Sequence, residues 1–283
     1  MITPEEERYI RAHAYVPEHS VGLMTCVSGG EPYLVDGYFC CRRKDWLIVV
    51  GYPLEKDFVL SEFEVFIDNI KKKYRPEYLS LIAPELSPSI IENCRERESD
   101  HYYILDLQSV VLKTSLRRTV AKAQSRLIVE RSSEILGQHK ALMKEFVENV
   151  DPPSRVKTLL FKTPEYFDND GNAMVLNAWD QEENLSAFYI VDLEPEDFST
   201  YVIGCHSKKD YVPGASDLLL FETVRLSEER GKKYVHLGLG VNEGIRRFKM
   251  KWGSQPTLKY EMCELVLKKP SIRDTILALQ RSR

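Results

Sequence analysis

The sequence predicts an α/β (α+β) fold in two halves, residues 1–101 and 102–283, and three observations predict it. The chain has 283 residues, and single hydrophobic cores stop growing near about 250 to 300 residues, so two units are the natural division. Its composition, 43% hydrophobic and 29% charged, is that of a folded globular protein and not of a disordered one. Short strand-like runs alternate with amphipathic helical stripes, and both halves share a rough order of strands, helix and strand.

In the first half, residues 4–13 read as a short helix. The apolar segment Val21–Val27, the run Tyr33–Cys41 and the run 45–51 follow, separated by the turn signals SGGEP and RRKD, and together they read as an antiparallel meander. Val59, Phe63, Phe66, Ile67, Ile70 and Tyr74 then recur at helical spacing, with Glu62, Asp68 and lysines on the other face, which predicts a core-facing helix. A strand over 78–83, a short helix near 87–97 and a strand over 102–107 close the half.

The second half opens on Leu112, Leu116, Val120, Ala123 and Leu127 along one helical stripe, with Lys113, Arg117, Arg118, Lys122 and Arg126 around it. A further helix over 136–150 ends at the DPP sequence, since proline cannot continue a helix. Strands are expected over 173–179, 185–193 and 200–206. PGASDLLLFETVRLSEERG then reads as a helix with Ser216 as its N-cap and Gly231 as its terminal glycine. A strand YVHLGLG, a short helix over 243–252 and a strand over 258–267 complete the chain.

Composition also excludes. The segment MITPEEERYIRAHAYVPEHS carries acid where a secretory signal carries base, and no apolar run approaches the roughly 18 residues of a membrane span, so a cytoplasmic protein without a transmembrane segment is expected. Cys26, Cys40, Cys41, Cys94, Cys205 and Cys263 lack the paired spacing of a zinc site; reduced, buried thiols and no metal are expected. With 39 basic and 43 acidic residues the net charge is −4, so an anionic partner must be held by a local patch.

Residues 201–253, YVIGCHSKKDYVPGASDLLLFETVRLSEERGKKYVHLGLGVNEGIRRFKMKWG, resemble the C-terminal GNAT core of Fem-type peptidyltransferases and phosphatidylglycerol lysyltransferases. That core runs strand, PG-loop, long helix, ERG, strand, glycine and an F-K-x-K-W/F-G box. KTSLRRTVAKAQSRLIVE is similar to the helix and strand that open the same domain, so the resemblance covers about residues 102–267; the first half matches only in layout. It implies two tandem GNAT-like acyltransferase domains with mixed, splayed sheets flanked by helices, the active site lying in the second.

A splayed strand leaves amides free to pair with an extended donor, which points to Val202, Ile203 and Gly204. The helix beginning at Pro213, Gly214, Ala215 and Ser216 aims free amides at an anion. YVPGAS over 211–216 lacks the R/Q-x-x-G-x-G/A loop of acetyl-CoA enzymes, and the resemblance therefore implies a branch that takes aminoacyl groups from tRNA. Taken alone, PGAS is also an ordinary turn with a cap.

Lys249, by similarity to the lysine of the Fem-type box, would stabilise the developing oxyanion; the alternative is a solvated lysine whose stem packs on Trp252 or Phe248. Glu243 and His236 are candidate bases, with Asp192 and Glu194 as further carboxylates and a plain core histidine as the other meaning of His236. Arg117, Arg118, Lys122, Arg246 and Arg247 could contact phosphate or RNA, or form a solvated face. The expected activity is transfer of an aminoacyl group to an amine or hydroxyl of a peptide or lipid, with no tightly bound cofactor and a peripheral membrane contact where the acceptor is lipid. An acyl-CoA-dependent N-acyltransferase and a non-catalytic GNAT-fold binding protein are the alternatives.

Overall fold

The computed structural model describes residues 1–167 and 172–268. The first half supplies α1 (Pro4–His13), a single 3-10 turn (Pro17–His19), α2 (Val21–Ser28), β1 (Glu31–Val35), β2 (Tyr38–Arg43), β3 (Trp46–Val50), α3 (Leu60–Tyr74), β4 (Tyr78–Ala83), α4 (Pro88–Ile91) and β5 (Glu96–Asp106). The second supplies α5 (Thr114–Gln124), β6 (Ile128–Ser132), α6 (Gly137–Val150), α7 (Ser154–Tyr166), β7 (Ala173–Trp179), β8 (Leu185–Asp192), β9 (Phe198–His206), α8 (Ala215–Glu229), β10 (Tyr234–Leu239), α9 (Glu243–Lys251) and β11 (Gln255–Val266).

All the described strands join one mixed sheet of 11 strands in the order β1-β2-β3-β4-β11-β5-β10-β9-β8-β7-β6. The last strand leaves the second half and inserts between β4 and β5, antiparallel to both. The expected division at 101/102 falls inside β5, which pairs with β11 on one side and β10 on the other. One face of the sheet packs on α5 and α8 through Leu116, Val120, Leu218, Leu219 and Val235, and on α3 through Phe63, Ile67 and Leu79. On the opposite face α1 and α2 cover the Phe39, Val50 and Tyr102 cluster, while α6 and α7 cover Val175, Phe188 and Ile190.

Several expectations are corrected. Val21–Val27 is helical and not part of a meander: α2 ends on Gly29 in the left-handed region at φ 60°, and the hydroxyls of Thr25 and Ser28 bond back to carbonyls one turn earlier. The run Tyr33–Cys41 is a hairpin, because Asp36 and Gly37 both take positive φ, as a type I′ turn requires. The short helix near 87–97 shrinks to the single turn α4, and β5 begins at Glu96. Residues 154–166, which carried no assignment, form α7; Leu160 and Thr163 are its buried stripe, and Pro164 sits inside it. Ser216 is not the N-cap of its helix: Gly214 is, at φ 87°. Cys94 and Cys263 are not reduced thiols but a disulfide with Cα atoms 5.4 Å apart, joining the α4 region to β11.

The main irregularity of the sheet is the fork between β9 and β10. These parallel strands pair only at Tyr234/Phe198, Val235/Ser199 and His236/Thr200, although β9 runs on to His206 and β10 to Leu239. Both strands carry a bulge at that point. On β9 the register against β8 jumps between Tyr201 and Ile203, leaving Val202 extra. On β10 the register against β5 jumps between His236 and Leu239, with Gly238 at φ 70°. A bulge bends and over-twists its strand, so two of them at one level drive the pair apart.

Candidate active site

The fork leaves the β10-facing backbone of β9 beyond Thr200 without a ladder partner, and this stretch holds Val202, Ile203 and Gly204. Gly204 lies beneath Tyr201 and Tyr189, whose rings meet at a tilt of 51° with centroids 4.5 Å apart; a Cβ on Gly204 would come within 2.2 Å of the Tyr201 hydroxyl. Only glycine allows this strand to pass so close to the tyrosine pair. The Tyr189 hydroxyl in turn donates to the Ser216 carbonyl at 3.2 Å, tying β8 to the first turn of α8.

The N-terminus of α8 opens beside the fork. Gly214 has no side chain to cap the helix, and no other side chain caps it. The Leu218 N–H is bonded to the Gly214 carbonyl, so the Ser216 and Asp217 amides precede the first helical bond and point outward. Pro213 and Ala215 flank this turn. Asp217 would set a negative charge at the same end, but its carboxylate is engaged: Trp252 Nε1 donates to it at 2.9 Å and Lys251 Nζ lies 2.6 Å away. Helix α5 packs alongside, with Thr119 and Ala123 against Gly214. Arg117, Arg118 and Lys122 are exposed on that helix, within a turn of the contact.

Lys249 is buried, at 3% exposure, so it is not a solvated lysine. The amphipathic helix α9 turns it inward, and its Nζ donates to the Leu239 carbonyl at 2.5 Å, at the free end of β10. The ammonium also lies 5.5 Å from the centre of the Tyr103 ring. Desolvation lowers its pKa to about 7, against the opposing pull of Asp100. Asp100 was invisible to sequence reasoning as a site residue. It reaches Lys249 only because β5 pairs with β10, and its carboxylate accepts the Val241 N–H at 2.7 Å beyond the end of that strand.

His236 is fully buried at the closed end of the fork, Tyr102 packing edge-on at 4.9 Å. Its Nδ1 accepts the Gly238 N–H at 3.2 Å, while Nε2 has no partner. Desolvation, followed by the charge of Lys249, lowers its pKa to about 3, so the ring is neutral. Glu243 is not brought to these groups: its side chain is 81% exposed and pairs with Arg247 at 3.5 Å. Arg246 and Arg247 are exposed, the stem of Arg246 lying against Gly240.

No model of a known protein family matches the sequence, and no curated protein does. Solved structures do. The C-terminal domain assigned to a lysylphosphatidylglycerol synthetase in Agrobacterium fabrum superposes with a TM-score of 0.60 at 14% identity, covering 98% of this chain and 96% of that one. FemX gives 0.58 at 12% identity over 100% and 99% of the two chains. A tandem GNAT protein from the clavulanic acid biosynthesis pathway gives 0.52 at 10% identity over 94% and 95%. The fold is tandem GNAT-like. The fork lies between strands of the second half, and α8 follows β9 directly in the chain. Among the described residues no helix is long and apolar enough to cross a membrane, and no group of three His, Cys, Asp or Glu side chains could hold a metal.

Proposed function

We propose that the chain is an acyl-transfer enzyme that carries an aminoacyl group from tRNA to an amine or hydroxyl of a peptide or lipid acceptor. The observation that carries the reading is the buried Lys249 ammonium at the free end of β10, across an open fork from an uncapped helix terminus. A phosphate of the donor rests on the Ser216 and Asp217 amides, where the helix dipole favours an anion. The extended part of the donor pairs with β9 over Val202–Gly204, as an added strand would. Its carbonyl is then delivered to the fork.

Attack by the acceptor forms a bond from its nitrogen or oxygen to the carbonyl carbon and places negative charge on the carbonyl oxygen. Lys249 Nζ turns from the Leu239 carbonyl to that oxygen. Although its pKa is lowered to about 7 in the resting protein, a neighbouring oxyanion raises it, so the group is an ammonium when it is needed. The ester bond to the ribose breaks, and the ribose oxygen takes up the proton that the nucleophile loses. Exposed Arg117, Arg118 and Lys122 beside the helix terminus supply a cationic approach for the rest of the nucleic acid. Glu243 has no part, because its carboxylate faces solvent and Arg247.

The structural neighbours are compatible with this: one is assigned to a lysylphosphatidylglycerol synthetase, and lysylphosphatidylglycerol joins an amino acid to a lipid. Incubating the protein with a pool of labelled aminoacyl-tRNAs should show at least one ester protected from hydrolysis, and Lys249→Gln should lower transfer about 100-fold or more. Binding of acyl-CoA thioesters with no binding of any charged tRNA would move the reading to an acyl-CoA-dependent N-acyltransferase. A GCN5-related N-acetyltransferase from Kribbella flavida, TM-score 0.57 at 11% identity over 86% of this chain and 93% of that one, makes that arm worth running.

A further inference from the structure

Three buried side chains form a single row across the sheet at the closed end of the fork. Asp192 on β8 is paired with Thr200 on β9, and Thr200 with His236 on β10. Directly paired residues project from the same face, and Phe198, two residues before Thr200, confirms it by packing on His236 with ring centres 5.7 Å apart. Asp192 and His236 are 0% exposed and Thr200 is 3% exposed. Each has a polar atom with no hydrogen-bond partner: Asp192 Oδ2, Thr200 Oγ1 and His236 Nε2. Unsatisfied buried polar atoms each cost free energy and are rare in folded proteins. Three of the eight such side-chain atoms among the described residues fall in this one row.

The neighbours of the row account for everything except these atoms. Asp192 Oδ1 is filled by the Tyr166 hydroxyl at 2.7 Å and the Glu194 N–H at 3.0 Å. Glu194 itself takes the Ser20 hydroxyl, the Gly22 N–H and Arg11 Nε. Lys232, the nearby lysine, donates to the carbonyls of Leu193, Pro195 and Glu196. Arg11 is shared between Glu194 and Glu7. Glu18 accepts the Tyr102 hydroxyl at 2.7 Å. Lys232 is close enough to feel the charge of Asp192, but its Nζ and the Arg11 guanidinium spend their hydrogen bonds elsewhere, and Asp192 Oδ2 has no hydrogen-bond partner. Burial, then the charge of Glu194, raises its pKa to about 6, so it is ionised at neutral pH. Beyond the row, Gly238 has open space beside it.

Resting on the transfer reading above, we propose that Asp192, Thr200 and His236 form a subsite for the α-ammonium of the transferred aminoacyl group, so that the fork selects aminoacyl over plain acyl donors. The geometry fits. An α-nitrogen lies about 2.5 Å from its carbonyl carbon by standard bond lengths, and an N–H···O bond adds about 2.8 Å. Together these reach about 5.3 Å, enough to cross the roughly 4.8 Å spacing from β9, the near wall of the fork, to β8. Thr200 Oγ1, which can both donate and accept, lies between the two ends, and Asp192 supplies the charge. A plain acyl group would leave all three atoms unsatisfied.

The test uses two unreactive probes that differ by one amino group, alanyl-adenosine and propionyl-adenosine, each linked through a 3′-amide, with binding measured by calorimetry at pH 7.5. The alanyl probe should bind at least 10-fold more tightly to the full chain. Asp192→Asn keeps the oxygen that meets Tyr166 but turns an amide toward the row, and should bring that ratio close to one; Thr200→Val should reduce it by several-fold. Asp192→Asn should also melt no lower than the parent without ligand, which separates loss of the subsite from loss of the fold. Equal binding of the two probes by the parent chain overturns this proposal alone, leaving a water-filled row. Binding of neither probe removes the transfer reading and the subsite with it.

Discussion

Replacing Lys249 by methionine should stabilise the protein near neutral pH while abolishing transfer. The folded pKa of about 7 lies below the ordinary 10.5. Between those values the unfolded chain holds a proton that the folded chain lacks, so stability rises with pH across pH 7 to 10.5 and the whole penalty remains at pH 7 and below. A depression of 3.5 units corresponds to about 5 kcal/mol. Methionine forfeits the bond to the Leu239 carbonyl and the contact with Tyr103, which offsets about 2 kcal/mol of this. The net gain is about 3 kcal/mol at pH 6.5, or about 5 °C in Tm for a chain of this length. At pH 10 the penalty has shrunk by about 4 kcal/mol, and the variant should melt at or slightly below the parent. Paired thermal melts at the two pH values measure this. A Lys249→Met protein that is less stable at pH 6.5, or a difference that does not change with pH, would refute the idea that Lys249 is held as a strained, desolvated cation.

Reducing the Cys94–Cys263 bond should lower stability by up to about 5 kcal/mol, because it closes a loop with a sequence separation of 169; urea midpoints with and without reductant, and for Cys94→Ser, give the value. His236 has a folded pKa of about 3, below its ordinary 6.5. The unfolded chain therefore gains a proton first as pH falls through 6.5, and stability should drop by up to about 4 kcal/mol toward pH 3, a slope that His236→Phe should flatten in urea titrations at pH 7 and pH 4. Reversing Arg117, Arg118 and Lys122 to glutamate should weaken binding of charged tRNA at least 10-fold and make it less salt-dependent, as read by filter binding at two salt concentrations. The folded stability should change little, since all three side chains are exposed.

Much of the second half was legible because its elements carry strong periodic patterns. The stripe of Leu116, Val120 and Ala123, the apolar strands over 173–206 and the FKMKWG box sit where their residues predict. The first half misled at Val21–Val27, where a short apolar run has the same composition whether it forms a buried helix or a strand, and only the Ser20 and Gly29 ends distinguish them. Pairing across long separations was beyond reach. Nothing in residues 255–266 says that β11 will lie between β4 and β5, and hence nothing says that Cys263 meets Cys94 or that Asp100 meets the Lys249 site. Lys249 itself could be singled out by resemblance, but its burial depends on which face α9 turns inward, which is fixed by Trp252 and Asp217.

That last contact links the two ends of the site. Trp252 and Lys251 close α9 onto Asp217, which sits in the first turn of α8, where the dipole also favours a carboxylate. The helix end that would seat a donor phosphate and the helix that carries Lys249 are therefore fastened by a buried, charge-assisted contact and not by a loop. Immediately after Trp252, β11 runs into the first half, where the disulfide holds it. A shift of the α8 terminus cannot be absorbed locally; it must move Lys249 or strain the longest strand of the sheet. The first half, whatever else it binds, thus contributes to the site mechanically, by fixing the strand from which α9 is suspended.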